Sequence, residues 1–136
     1  GEREMKAKGQ RALLRVLRKL GENGAAERIG KQIVSENKSK RFDLGIAVAA
    51  DAIFDKQDSG EWKVAAEQYE LTMKRFGGKA GGHLFYNLVQ PYGQTCLRDG
   101  QAAQARSAIN IAGEILKPEA SSILANDFRK LRGQTQ

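Results

Sequence analysis

The 136-residue chain has one cysteine, one histidine and two prolines, and each scarcity closes off a class of protein. A lone Cys96 excludes an internal disulfide and any multi-cysteine metal site. With His83 the only histidine, His-Cys, His-Asp and multi-histidine arrangements would all have to be built around that one residue. Two prolines are too few for a linker-like chain, and a composition of 40% hydrophobic and 29% charged residues is that of a folding domain. No apolar run is long: Ile46 to Ala50 is ended by Asp51, far short of the roughly 20 residues a membrane helix needs. Alternating β-branched runs are nearly absent, which removes the signal for strands. A chain of this length fits one domain. Gly1 in place of Met fits a processed or truncated start, so localisation stays open and export remains compatible with the sequence.

Charge is unevenly placed. Residues 1–41 hold 12 Lys+Arg against 5 Asp+Glu, whereas residues 42–136 hold 11 of each, so the net charge of +7 belongs to the first third.

Apolar residues recur at helical spacing, which predicts an all-α fold of about seven helices. The first covers about 2–20. Met5, Ala12, Leu13, Val16, Leu17 and Leu20 form its expected inner face, opposite Lys8, Arg11, Arg15, Arg18 and Lys19. Gly21 to Gly24 signals a turn, and Ala26, Ile29, Ile33 and Val34 mark a second helix ending near Asn37. After the polar connector from Asn37 to Arg41, Phe42 to Phe54 is apolar on nearly all sides, as in a buried helix. Asp55 to Gly60 is the expected next turn, with Ser59 as helix cap. A fourth helix runs to Phe76 through Trp62, Ala65, Ala66, Tyr69 and Met73. Glycines between 77 and 82 interrupt the pattern, and a fifth helix starts near His83 with Phe85, Leu88, Val89, Tyr92 and Cys96 inward and a kink at Pro91. The sixth, about 101–116, packs through Ala102, Ala105, Ile109, Ala112 and Ile115. Pro118 suits the first turn of a seventh helix, whose apolar face is Ile123, Leu124, Phe128 and Leu131. The expected units are hairpins at about 2–36, 41–76 and 83–116 and a capping helix at about 118–132.

Gly24, Gly60 and Gly100 each open the second helix of a hairpin, at intervals of 36 and 40 residues, which is the spacing of a repeat array. The third hairpin resembles a tetratricopeptide repeat. Tyr92-Gly93 fits the large-then-glycine step of that family's first helix, Gly100 its turn, Ala105 and Ala112 its small positions, and Pro118 falls within a residue of its terminal proline. In the second hairpin Gly60, Trp62, Ala65 and Tyr69 fit, but Asp51 stands where glycine is usual and the turn reads two residues too long. The first shares length and amphipathicity only. The resemblance, covering about Phe42 to Pro118, implies a short right-handed stack of antiparallel hairpins that binds a protein or peptide in a concave groove. On the fifth helix that groove would present Asn87, Gln90, Gln94 and Arg98, spaced by 3, 4 and 4 on one stripe. Of the lysines and arginines that carboxylate-gripping members carry there, only Arg98 is present.

Three other features have competing readings. Cys96 on an apolar stripe reads as a buried thiol or as a nucleophile, and the stripe favours the former. His83, beside Gly81 and Gly82 at a helix start, favours a structural or solvated role. Asp51 inside an apolar helix must be exposed at a groove or paired with a base. The segment Gly77 to Gly82 lacks the lysine-serine/threonine ending of a phosphate loop and follows a helix, so it reads as a connector. No catalytic residue, cofactor or metal is expected. A non-catalytic interaction scaffold leads, with a homodimer through end helices as a variant. The alternative is binding of nucleic acid or an acidic partner by Lys8, Arg11, Arg15 and Arg18, although no aromatic interleaves with these cations.

Overall fold

Three left-handed glycines each form the turn inside one helical hairpin. The computed structural model describes residues 2–36, 41–77, 81–117 and 122–135. Among these there are seven helices and no strand: α1 (Glu2–Lys19), α2 (Asn23–Glu36), α3 (Arg41–Asp58), α4 (Trp62–Phe76), α5 (81–98), α6 (Ala102–Leu116) and α7 (Ile123–Thr135).

Gly21, Gly60 and Gly100 have φ of 78°, 75° and 74°, a region that costs a residue with Cβ roughly 1 kcal/mol or more. Around each glycine the same hydrogen bonds recur. The N–H after the glycine reaches back five residues, Glu22 to Leu17 at 2.9 Å, Glu61 to Lys56 at 2.9 Å and Gln101 to Cys96 at 2.7 Å. The glycine N–H reaches back three, to Arg18, Gln57 and Leu97. This is the Schellman arrangement, and it satisfies carbonyls that the helix end leaves free. Glu22, Glu61 and Gln101 then accept from Ala26, Ala65 and Ala105, the first bond of the next helix. All three alanines are buried. Glycine, Glu or Gln, three free positions and alanine thus form a cassette used three times.

The cassette corrects the sequence reading in three places. Gly21, not Gly24, is the first turn glycine, so the intervals are 39 and 40 residues. Asp55 to Asp58 is helical and the second turn is no longer than the others, because Gln57 has partners inside the fold: its Nε2 donates to the Tyr92 carbonyl at 3.2 Å and to Cys96 Sγ at 3.4 Å. Ser59 does not cap α4, whose N-cap is Glu61; its hydroxyl hydrogen-bonds the Lys56 carbonyl and Glu61 Oε2 instead.

Pro91 neither breaks nor ends α5. It follows a π turn, Phe85–Val89, in which the Gln90 N–H reaches back five residues to Phe85. The wider turn makes room for a ring that cannot donate and would crowd the carbonyl four residues back. α7 begins at Ile123 behind Ser122, whose hydroxyl accepts the Ala125 N–H at 3.0 Å as an N-cap does. Ile123 is exposed rather than inward. Pro118 and the connector from Asn37 to Lys40 lie outside the described residues, as do the side chains of Met5, Val34 and Phe42.

The main core runs from α3 to α7. Tyr69 and Tyr92 stack at 4.4 Å between ring centres, and the buried Tyr69 hydroxyl donates to the Ala108 carbonyl at 2.8 Å. Glycines sit where neighbours come closest: a Cβ at Gly77 would lie 1.9 Å from Ile115 Cγ2, and one at Gly113 3.2 Å from Phe128 Cζ. At Gly93 a Cβ would meet Leu131 at an ordinary 3.6 Å, so close packing does not demand that glycine. A separate, smaller core holds Leu14, Ala26 and Ile33, edged by Leu17, Ile29, Leu44 and Val48.

α1 is rotated relative to the sequence expectation. Leu14 is fully buried, whereas Leu13, Val16 and Leu20 are 47%, 52% and 71% exposed, and Ala12 is exposed too. The arc that turns inward is the one through Leu14 and Leu17, which packs with Ala26, Ile29 and Ile33 of α2 and Leu44 and Val48 of α3, and this sets Arg11 and Arg18 against Asp51 and Asp55.

Candidate functional site

α3 touches both α1 and α5, so the first helices of the three hairpins stand side by side. Counted back from the turn glycines, Arg11, Arg15 and Lys19 of α1 occupy the same steps as Gln90, Gln94 and Arg98 of α5. Of the candidates named from sequence, Arg11 and Arg15 of the basic face and Gln90 and Gln94 of the groove stripe therefore belong to equivalent sides of equivalent helices, whereas Arg18 shares its step with Leu97.

On α1 the basic set splits. Arg11 Nη2 bonds Asp51 Oδ2 at 3.3 Å, with side chains 29% and 12% exposed. Arg18 Nη1 faces Asp55 Oδ2 at 3.8 Å, a charge contact without a hydrogen bond. Burial lowers the Arg18 pKa, opposed by Asp55 and Asp51. Burial likewise raises Asp55, opposed by Arg18 and reinforced by Asp51 and Asp58. Lys8 and Arg15 are exposed and make no ion pair among the described residues.

On α5 the stripe also splits. Asn87 Nδ2 donates to the His83 carbonyl at 2.9 Å, and its place in the π turn removes it from the register of α1. Arg98 holds Asp99 through Nε at 3.0 Å and Nη2 at 3.3 Å, which raises the arginine pKa and lowers that of the carboxylate. Gln90 is half-buried and Gln94 exposed, and neither amide is engaged within the described residues. The face thus offers Lys8, Arg15, Gln90 and Gln94 to a partner.

The three reactive residue types weighed from sequence, Cys96, His83 and Asp51, have separate surroundings among the described residues. Cys96 is fully buried, and that burial pushes its thiol up to about 11, a protonated and unreactive state at neutral pH. His83 is exposed on the first turn of the same helix, about 20 Å away by helical rise. Asp51 is tied to Arg11. No three His, Cys, Asp or Glu residues gather as a metal site among the described residues, and no described helix is long and apolar enough to cross a membrane.

Of the two readings of Asp51, pairing with a base holds, and Arg11 is the base; sequence reasoning missed the Arg18–Asp55 contact and the exposed Leu13, Val16 and Leu20. A signal existed: α3 carries Asp51, Asp55 and Asp58 at helical spacing, and α1 carries arginines at 11 and 18 two turns apart. No family model matches the chain, and neither a curated protein nor a solved structure matches it.

Proposed function

We propose that this chain is a non-catalytic interaction module of tetratricopeptide-like hairpins that holds a protein segment against the face of α1, α3 and α5. The observation that carries the reading is the shared register of α1 and α5 across α3, which sets the exposed cation Arg15 level with the exposed amide of Gln94 along one side. Cations select carboxylates, and free amides can pair with the peptide groups of an extended chain. The favoured segment is therefore acidic. Nucleic acid is the weaker reading, because Arg11 and Arg18 are already engaged by α3 and the exposed neighbours of Lys8 and Arg15 on α1 include Leu13 and Val16.

The test is affinity capture from the source's own extract, with nuclease and in high salt, using the parent chain and a Lys8→Glu, Arg15→Glu, Gln94→Glu variant of unchanged helicity. A protein held by the parent and released by the variant is the expected result. Capture that the variant retains, or that vanishes with nuclease, would refute this function.

A further inference from the structure

α1 turns three large apolar side chains to solvent, Leu13, Val16 and Leu20, at 47%, 52% and 71% exposure. At about 100° per residue they fall within roughly 60° of one another and stretch over about 10 Å of the helix axis. Gly9 and the exposed Ala12 lie on the same arc, and a Cβ at Gly9 would meet nothing within 4 Å. The arc stands opposite Arg11 and Arg18, which face α3, and away from Leu14 and Leu17, which pack on α2. It is an open ridge on the outer side of a single helix. The other large apolar residues exposed among the described ones, Leu71, Tyr86 and Ile123, sit on three different helices.

What edges the ridge selects its occupant. Lys8, Arg15 and Lys19 are exposed along the side toward α3, and Lys6 is exposed along the other. From Met5 to Leu20 the sequence holds no Asp or Glu. An apolar stripe between cations, on the convex side of one helix, matches a flat anionic surface into which side chains can sink. A bilayer with acidic headgroups is such a surface: the apolar side chains enter the acyl boundary while lysine and arginine stay at the phosphates. A protein helix fits less well, because the stripe lies on one helix rather than in a groove between two. A second copy would bring Lys8, Arg15 and Lys19 of both chains together. Nucleic-acid phosphates would leave Leu13, Val16 and Leu20 in water.

We infer that the outer face of α1 is a membrane-surface docking site, which lays the helix on an anionic lipid bilayer with Leu13, Val16 and Leu20 below the headgroups. This is surface attachment and requires no spanning helix. The site adjoins the face proposed above to hold an acidic segment, and Lys8 and Arg15 stand on the common edge. Leu13, Val16 and Leu20 belong to the outer face alone.

The full chain is floated with vesicles of phosphatidylcholine containing about a third phosphatidylserine, and with vesicles of phosphatidylcholine alone. It should bind the mixed vesicles at least about tenfold more strongly than the neutral ones. Leu13→Gln/Val16→Gln/Leu20→Gln keeps the charge and the thermal unfolding, and should bind the mixed vesicles at least about tenfold more weakly than the parent. If the triple variant melts early, Leu20→Gln alone gives the same direction from the most exposed of the three. Leu71→Gln/Ile123→Gln, which removes exposed apolar side chains elsewhere, should bind like the parent. Equal binding by the triple variant overturns the site, since charge alone then accounts for adsorption, as it would for nucleic acid. Equal loss by Leu71→Gln/Ile123→Gln overturns it as unspecific apolar adhesion. A parent that ignores the mixed vesicles, or binds the neutral ones as well, overturns it too. In that case self-association or protein capture abolished by the triple variant would assign the stripe to a second copy or to a protein. The triple variant retains Lys8, Arg15 and Gln94, so capture of an acidic segment should survive it, and this inference and the function proposed above fail separately.

Discussion

The hairpin of α1 and α2 and the hairpin of α5 and α6 share the same turn, bond for bond, yet what they bury differs. The later hairpin contributes Phe85, Leu88, Tyr92 and Ile109 to a core continuous across five helices. The earlier one closes over Leu14, Ala26 and Ile33 and leaves Leu13, Val16 and Leu20 facing out. Its α1 is fastened to α3 in part by charge contacts, which are worth less than apolar burial where water reaches them. A turn is therefore a local property of glycine and backbone, while stability is a property of the faces that turn brings together. In a stack whose units touch only their neighbours, the end unit opens first.

The largest expected effect comes from cavities in the two cores. Ile109→Ala should cost about 2–5 kcal/mol of global stability. Leu14→Ala should instead speed amide exchange in α1 and α2 and leave the protection of α4 to α6 almost unchanged. Equal loss of protection in both regions would abolish the distinction. A middling effect is expected at the turns: Gly21→Ala, Gly60→Ala and Gly100→Ala should each cost roughly 1 kcal/mol of the unit that contains them, because the φ values agree. Denaturant titration resolves this, and a Gly21→Ala cost near zero would show that the first turn is not held as the others are. The smallest effect lies at the Arg18–Asp55 contact. Burial holds the folded Asp55 pKa above its ordinary 3.8, so its contribution is fully present below the unfolded value and lost as pH rises through the folded one. Asp55→Asn, which has no charge to bury, should therefore gain on the parent across that window, by under about 1 kcal/mol. Arg18→Gln should lose stability above it, since it leaves a carboxylate beside Asp51 and Asp58 without its cation. Thermal melts at pH 3 to 7, on the order of one unit apart, decide the sign; a gain by the parent would mean that attraction outweighs burial.

Helix number and most inner faces were legible because periodicity and glycine act within a few residues. Tyr69, Tyr92, Cys96, Ile109 and Phe128 all lie inward as their spacing demands. Two failures share another origin. The polar run from Asp55 to Asp58 reads as a turn until Gln57 is seen to donate to the Tyr92 carbonyl, a partner 35 residues away. α1 has apolar residues on two adjoining arcs, and which arc turns inward depends on its packing with Ala26, Ile29 and Ile33 of α2 and Leu44 and Val48 of α3. The candidate stripe on α5 is exposed at Asn87, Gln94 and Arg98 and half-buried at Gln90. The occupation of Asn87 and Arg98 by their own helix and turn depended on the π turn and on Asp99, which a spacing rule does not resolve.

The lone cysteine makes the molecule its own clock. Cys96 lies where α3, α4 and α5 meet and takes a hydrogen bond from Gln57, so an alkylating reagent reaches it only when that junction parts. The first hairpin can fray repeatedly without exposing it. Time courses of thiol modification therefore record the lifetime of the inner stack alone, and comparison with exchange at α1 separates breathing at the end from true unfolding.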